Sequence, residues 1–169
     1  MADTSVPRAA LGAATLNRKW FIDVDSSAEP HTVPTWIGVF GVTEFKPATD
    51  AVTADTSDFS SGYKSETVTA LGWSVEFKLS RKVTAASITA YDPGQEFLRL
   101  LGQSMGIANR AHIRWYEMNG TTGPKIEAYD GYASVSWSDE GGDFSKASEV
   151  TVKMTGQGAR NTITHPAAA

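Results

Sequence analysis

Apolar residues recur at every second position over most of this chain. The clearest run sets Trp73, Val75, Phe77 and Leu79 against Ser74, Glu76, Lys78 and Ser80; a period of two places each set on one face of a β-strand. Leu16, Arg18, Trp20, Ile22 and Val24 share a face, with Asn17, Lys19, Asp23 and Asp25 mostly opposite. Ile113 and Trp115 alternate with His112 and Arg114, Ala133, Val135 and Trp137 with serines, and Val150, Val152 and Met154 with Glu149, Thr151 and Lys153. Thr35 to Phe45 differs, because Ile37, Val39 and Phe45 occupy one face while Trp36, Phe40 and Val42 occupy the other. A strand that is apolar on both faces needs cover on both, from the helix or from another subunit.

The period changes once, after Asp92. Asp92 can cap a helix, Pro93 suits its first turn and Gln95 stands three residues after the cap. Phe97, Leu101 and Met105 then share a face, joined by Leu98 and Leu100, and Gly106 is a natural stop, which predicts a helix over about 92–106. Strands, one helix and more strands predict a mainly β domain: an antiparallel β-sandwich or barrel with one flanking α-helix. Its expected span is 16–158, between a flexible N-terminal arm, 1–15, and a C-terminal tail, 159–169, whose small polar residues show no pattern. The Gly156-Gln157-Gly158 run is expected to end the last strand.

Lys46 to Ser65 separates two strong strands and is rich in Thr, Ser, Asp, Ala and Gly. It predicts a long loop between the second and third strands, longer than a hairpin needs. Phe59 and Tyr63 lie within it, and two aromatics so close together suit docking better than solvent.

With 169 residues, 41% of them hydrophobic and 20% charged, the chain is long enough for one domain with a real core. A formal charge of −4 gives no general attraction to nucleic acid or acidic membranes. The absence of cysteine removes thiol nucleophiles, disulfides and thiolate-bound zinc. The start carries no basic stretch followed by an apolar run, and Trp36 to Val42 is too short to cross a bilayer, so neither a secretory signal nor membrane insertion is expected.

Motifs for chemistry are missing. The sequence contains no GxSxG elbow, Walker loop or GxGxxG. His31, His112 and His165 show no metal-ligand spacing and read as strand or surface histidines. Asp55 to Glu66 opens and closes like a calcium loop but has Phe59 and Ser60 at its fifth and sixth positions and adds Lys64. Trp20, Trp73, Trp115 and Trp137 lie on apolar strand faces and belong to a core. Tyr91, Tyr116, Tyr129 and Tyr132 are less committed; an exposed row of them could stack on sugar rings, which makes a carbohydrate-binding module the alternative to a structural role. No enzyme activity, cofactor or metal is expected.

Several features occur together. The strand Trp36-Ile-Gly-Val-Phe-Gly-Val-Thr-Glu-Phe-Lys-Pro47 leads into a polar loop containing Asp58-Phe-Ser-Ser-Gly-Tyr-Lys-Ser65, followed by Thr67 to Thr69 and Gly72-Trp-Ser-Val-Glu-Phe77. This arrangement, with the helix from Asp92, resembles the major tail tube proteins of long-tailed, non-contractile bacteriophages. The resemblance implies a virion protein assembled in the host bacterial cytoplasm into hexameric rings that stack as a hollow tube, through which DNA passes without specific binding. It also implies tape measure, tail terminator and distal tail proteins as partners. Phe59, Tyr63, Trp36 and Phe40 become the expected inter-subunit contacts. Glu44, Glu76 and Asp130, on polar strand faces, become the expected lumen-facing acids, although Lys78 and Lys82 lie near Glu76.

Overall fold

The computed structural model describes residues 14, 19–58, 62–117 and 124–167. In chain order these form β1 (Trp20–Asp25), β2 (Trp36–Gly38), β3 (Val42–Asp55), β4 (Glu66–Ser80), the short β5 (Val83–Thr84) and β6 (Ser87–Tyr91), helix α1 (Pro93–Gly102), β7 (Arg110–Glu117), β8 (Ala128–Asp139), β9 (Glu149–Gly156) and β10 (Asn161–Thr162). The main sheet is antiparallel throughout in the order β2-β1-β7-β8-β9-β4-β3, with β10 added to β8, while β5 and β6 pair separately.

The sheet curls over one core. Its alternate positions, Ile22, Val24, Trp73, Val75, Phe77, Leu79, Ile113, Trp115, Val150, Val152 and Met154, are all buried. Trp20 of β1 stacks on Phe45 of β3 at 5.8 Å, and Trp73 of β4 meets Trp115 of β7 at 5.2 Å, so strands far apart in the sheet order face each other as in a sandwich. The predicted core tryptophans are where the alternation puts them. The Trp73 indole fits because its neighbours are glycines: a Cβ at Gly131 or Gly156 would lie 2.6 or 2.4 Å from its ring atoms.

The apolar stretch expected to be one two-faced strand is broken. β2 ends at Gly38, Val39 is buried after its N–H bonds to the Ile22 carbonyl, Phe40 turns outward and β3 starts at Val42. The break is held by Gln95, which is fully buried; its Nε2 donates to the Phe40 carbonyl at 2.7 Å and to the Ser80 carbonyl at 3.2 Å. Gly41 has a positive φ of 82° there, and a Cβ on it would meet the Ser80 carbonyl at 2.7 Å. Trp36 on the opposite face is covered by this chain itself, with the Arg114 guanidinium 4.5 Å from its ring and His112 at 4.9 Å.

The helix begins as predicted, with the Asp92 carboxylate accepting from the Gln95 N–H at 3.0 Å. It stops at Gly102, four residues before the expected Gly106. Asn109 takes the Leu101 carbonyl with its Nδ2 and the Val135 N–H with its Oδ1, both at 2.9 Å, tying the chain to β8 before another turn can form. Leu98 is fully buried and Phe97 and Leu101 pack on the core, whereas Leu100 and Met105, expected on the same face, are exposed.

Two expectations about irregular segments fail. β3 and β4 continue through most of the predicted loop, pairing as far as Asp55 with Glu66, so only residues 56–65 connect them. Alternating Thr, Ala and Val in Ala48–Thr53 and Thr67–Leu71 satisfy a two-stranded ribbon even where small residues suggest a loop. The C-terminal segment is docked, not free. Asn161 and Thr162 pair with Asp130 and Tyr129, and buried His165 donates from Nε2 to the Glu117 carbonyl at 2.6 Å while its Nδ1 accepts the Ala167 N–H. The N-terminal arm, apart from residue 14, lies outside the described residues.

Burial alone would raise the Glu117 carboxyl, but the Lys19 ammonium at 2.9 Å and the Glu127 N–H outweigh it and hold it below its ordinary value near 4.5. A depressed carboxylate adds stability that is complete above the unfolded value and is lost as pH falls through the folded one. Glu117→Gln is therefore expected to cost about 1–3 kcal/mol at neutral pH and to flatten the loss of stability below about pH 4.5, read by urea unfolding at a series of pH values. Gln95→Leu takes the buried amide donor from the Phe40 and Ser80 carbonyls and is expected to cost about 1–3 kcal/mol in all, read by the same unfolding monitored through tryptophan fluorescence.

Candidate functional site

Two surfaces stand out once the core is closed. The first is the ribbon of β3 and β4. β4 pairs with β9 only along Ser74–Ser80, so from Glu66 to Gly72 its single strand partner among the described residues is β3. Every residue of the ribbon from Lys46 to Asp55 and from Glu66 to Gly72 is exposed. Strand alternation puts Leu71 and Ala51 on the side that continues the core face, and Val52 and Ala70 on the other; past a register shift Val68 pairs with Thr53 and returns to the Leu71 side. Leu71 is 68% exposed, Val52 58% and Val68 53%. A two-stranded ribbon in water is marginal by itself, and exposed valines and leucine on both sides favour further cover. At its tip Tyr63 is 88% exposed; Phe59, its expected companion, lies outside the described residues. Phe40, at the break between β2 and β3, is exposed as well, and the groove beside it is lined by Phe21, Val39 and Thr43.

The second surface is the polar face of the main sheet. Register places Lys46, Glu76 and Lys153 side by side across β3, β4 and β9, and Asp23, Arg114 and Asp130 across β1, β7 and β8. The three expected acids therefore do share one face of one sheet. They do not make it acidic. Glu44 pairs with Lys46 at 2.7 Å, and that hydrogen bond holds its carboxyl below the ordinary glutamate value. Glu76 stands between two lysines, and Asp130 accepts from Asn161 Nδ2 at 3.0 Å with His112 Nε2 at 3.6 Å. Arg114 Nε donates to Asp23 at 2.8 Å. The result is rows of alternating sign.

The tyrosines do not form the exposed row that sugar stacking needs. Tyr132 is stacked on His112 and covered by the Arg110 guanidinium at 4.0 Å, Tyr129 packs on Trp115 under Arg160, and Tyr116 lies between Phe21 and His165. Tyr91 is the more open one, 47% exposed beneath Arg81.

One constellation escaped the sequence. His31 and His112, 81 positions apart, both turn Nδ1 to the same Asp25 Oδ2, at 3.0 and 3.1 Å. Asp25 is fully buried. Burial would raise its carboxyl, but the Ser27 and Thr35 N–H groups on Oδ1 and the His112 ring hold it far below the ordinary aspartate range. The single available signal was the outward parity of Asp25 and His112 on their strands; that they are neighbours follows from the pairing of β1 with β7.

No protein family and no curated protein matches the sequence. Solved structures do match in fold. A chain from the tail of an empty gene transfer agent particle, refined with C6 symmetry, aligns with a TM-score of 0.66 at 12% identity over 89% of this chain and 100% of its own. The cap that terminates the tube of an anti-feeding prophage aligns at 0.59 with 10% identity, over 96% and 100%. The sheath–tube complex of an extracellular contractile injection system in the extended state aligns at 0.54 with 6% identity, over 96% and 95%. Together they show that this chain has the fold of subunits found in the tails and tubes of phage-like particles.

Proposed function

We propose that this chain is a structural subunit that assembles with copies of itself into the hollow tube of a phage-like tail. The observation that carries the reading is the distal half of the β3–β4 ribbon, exposed throughout with apolar residues on both sides, on a domain that matches a tail subunit along its whole length. A neighbouring copy supplies the cover that the ribbon lacks, and closure of a ring protects the outer edges of β2 and β3 from uncontrolled pairing. Tyr63 at the tip, Phe40 beside the groove and the partly exposed Trp36, with Phe59 of the β3–β4 connection, contact that neighbour or the next ring.

In this reading six subunits form each ring, in keeping with the C6 symmetry of the gene transfer agent tail. The polar sheet face, with Glu44, Glu76 and Asp130, lines the channel. Alternating charges suit a conduit: carboxylates repel phosphates and the paired lysines are already engaged, so DNA passes without the tight binding that a basic lining would give. The role is structural, in the virion, after assembly in the host cytoplasm, with tape measure, terminator and distal tail proteins as partners. The similar structures include contractile systems; preference for a non-contractile tail rests on the sequence resemblance alone.

Concentrated purified protein is expected to form hollow tubes of uniform width in electron micrographs, whereas Leu71→Asp with Val52→Asp is expected to stay monomeric with an unchanged circular dichroism spectrum. Tubes of normal length and yield from that double variant would overturn the reading. For the channel, Glu76→Lys is expected to leave tube yield unchanged and to slow DNA release from reconstituted particles; equal release rates would remove this face from the lumen.

A further inference from the structure

The polar face carries one arrangement that a tube wall does not require. On the β1–β2 side, Asp25, His31 and His112 bring a carboxylate oxygen and two imidazole nitrogens within 4.8 Å of one another. Asp25 ends β1 and His112 lies opposite it on β7, while His31 comes from the connection between β1 and β2, at a positive φ of 56°. That left-handed conformation costs energy for a residue with a side chain, and here it turns the ring onto Asp25.

The surroundings fit metal ligands. Asp25 is held by two backbone N–H groups on its other oxygen, so Oδ2 is fixed in place. Each imidazole directs its remaining nitrogen at a second carboxylate: His31 Nε2 lies 3.5 Å from Glu29, and His112 Nε2 lies 3.6 Å from Asp130. Such outer carboxylates orient metal-bound imidazoles and raise their basicity. Trp36 and Tyr132 wall off His112, and Ser27 Oγ sits 3.1 Å from His31 Nδ1. Arg110 Nε, 3.5 Å from Glu29, is the adjacent fixed cation.

All four imidazole nitrogens face carboxylates, and an ion held at the two Nδ1 atoms leaves the Nε2 N–H groups aimed at Glu29 and Asp130. It also adds positive charge among three acids. The 3.0 and 3.1 Å nitrogen–oxygen separations lie near the edge of about 3.3 Å expected for a tetrahedron with bonds of 2.0 Å. We propose that Asp25, His31 and His112 form a structural binding site for a divalent transition-metal ion of the zinc class, which fastens the β1–β2 connection to the sheet. The fourth position falls to water or Ser27 Oγ. The inference does not depend on tube assembly.

Zinc chloride titrated calorimetrically into the metal-stripped full chain at neutral pH is expected to bind one ion per chain and to raise the melting temperature, and cobalt(II) is expected to give the visible absorption of a tetrahedral complex. His31→Gln, in an exposed connection where folding can be verified by circular dichroism, is expected to weaken binding on the order of 100-fold, and Glu29→Gln about 10-fold. Absence of zinc heat and of cobalt bands would overturn the site. Equal affinity in His31→Gln would do so too, since the ion would then be held elsewhere.

Discussion

The fold depends on one short covalent link. β2 and β3 are opposite edges of the main sheet, with five strands between them, yet residues 39–41 alone join them. Gly38 and Val42 can therefore lie no more than about 15 Å apart. A flat sheet of that order would separate its edges by far more, at nearly 5 Å per strand, so the sheet has to curl until its ends approach. The core-facing side chains then fall inside the curl: Trp20 reaches Phe45, and Trp73 reaches Trp115. Gln95 secures the link by donating to the Phe40 carbonyl within it and to the Ser80 carbonyl at the end of β4, which is why a buried glutamine stands in the first turn of a helix otherwise packed through Leu98.

Once the curl is fixed, the other face of every strand is turned away from the core. That face accumulates charge, and neighbouring strands bring opposite signs into register, Lys46 with Glu76 and Lys153, Asp23 with Arg114 and Asp130. Exposed pairs of this kind add little stability; their consequence is a surface of balanced charge. Where the β1–β2 connection folds over the face, the same register gathers Asp25, His112 and His31 into a buried cluster. One sheet thus supplies an apolar core, a charge-balanced wall and a ligand-like site, through strand parity and pairing order.

The ribbon of β3 and β4 follows from the same geometry. Its base lies in the sheet, where β9 supports β4, and its distal half outruns that support because β9 ends at Gly156. A glycine is needed there for Trp73 to pack, so the feature that completes the core also ends the sheet beside the ribbon. Val52, Val68 and Leu71 stay in solvent until something covers them. The packing of the core and the exposure of the ribbon are set at one place.

Much of this was legible in the sequence. Period-two alternation identified the strands and their core residues, including the tryptophans, because burial of one face is a local property of each strand. The cap at Asp92 located the start of the helix for the same reason. What depended on partners was not legible. The helix ended early because Asn109 met β8, the supposed loop was strand because β3 and β4 paired along it, and His165 was buried because Glu117 offered a carbonyl. The acids on the polar face could be named but not their lysines, since cross-strand neighbours are set by register. His31 and His112 had no motif to mark them: their shared aspartate is reached only after β1 pairs with β7 and a left-handed residue turns the connection inward. Sequence determined which residues face inward along each strand; only the tertiary structure decided which strands, and so which side chains, would meet, because pairing order and loop closure join positions far apart in the chain.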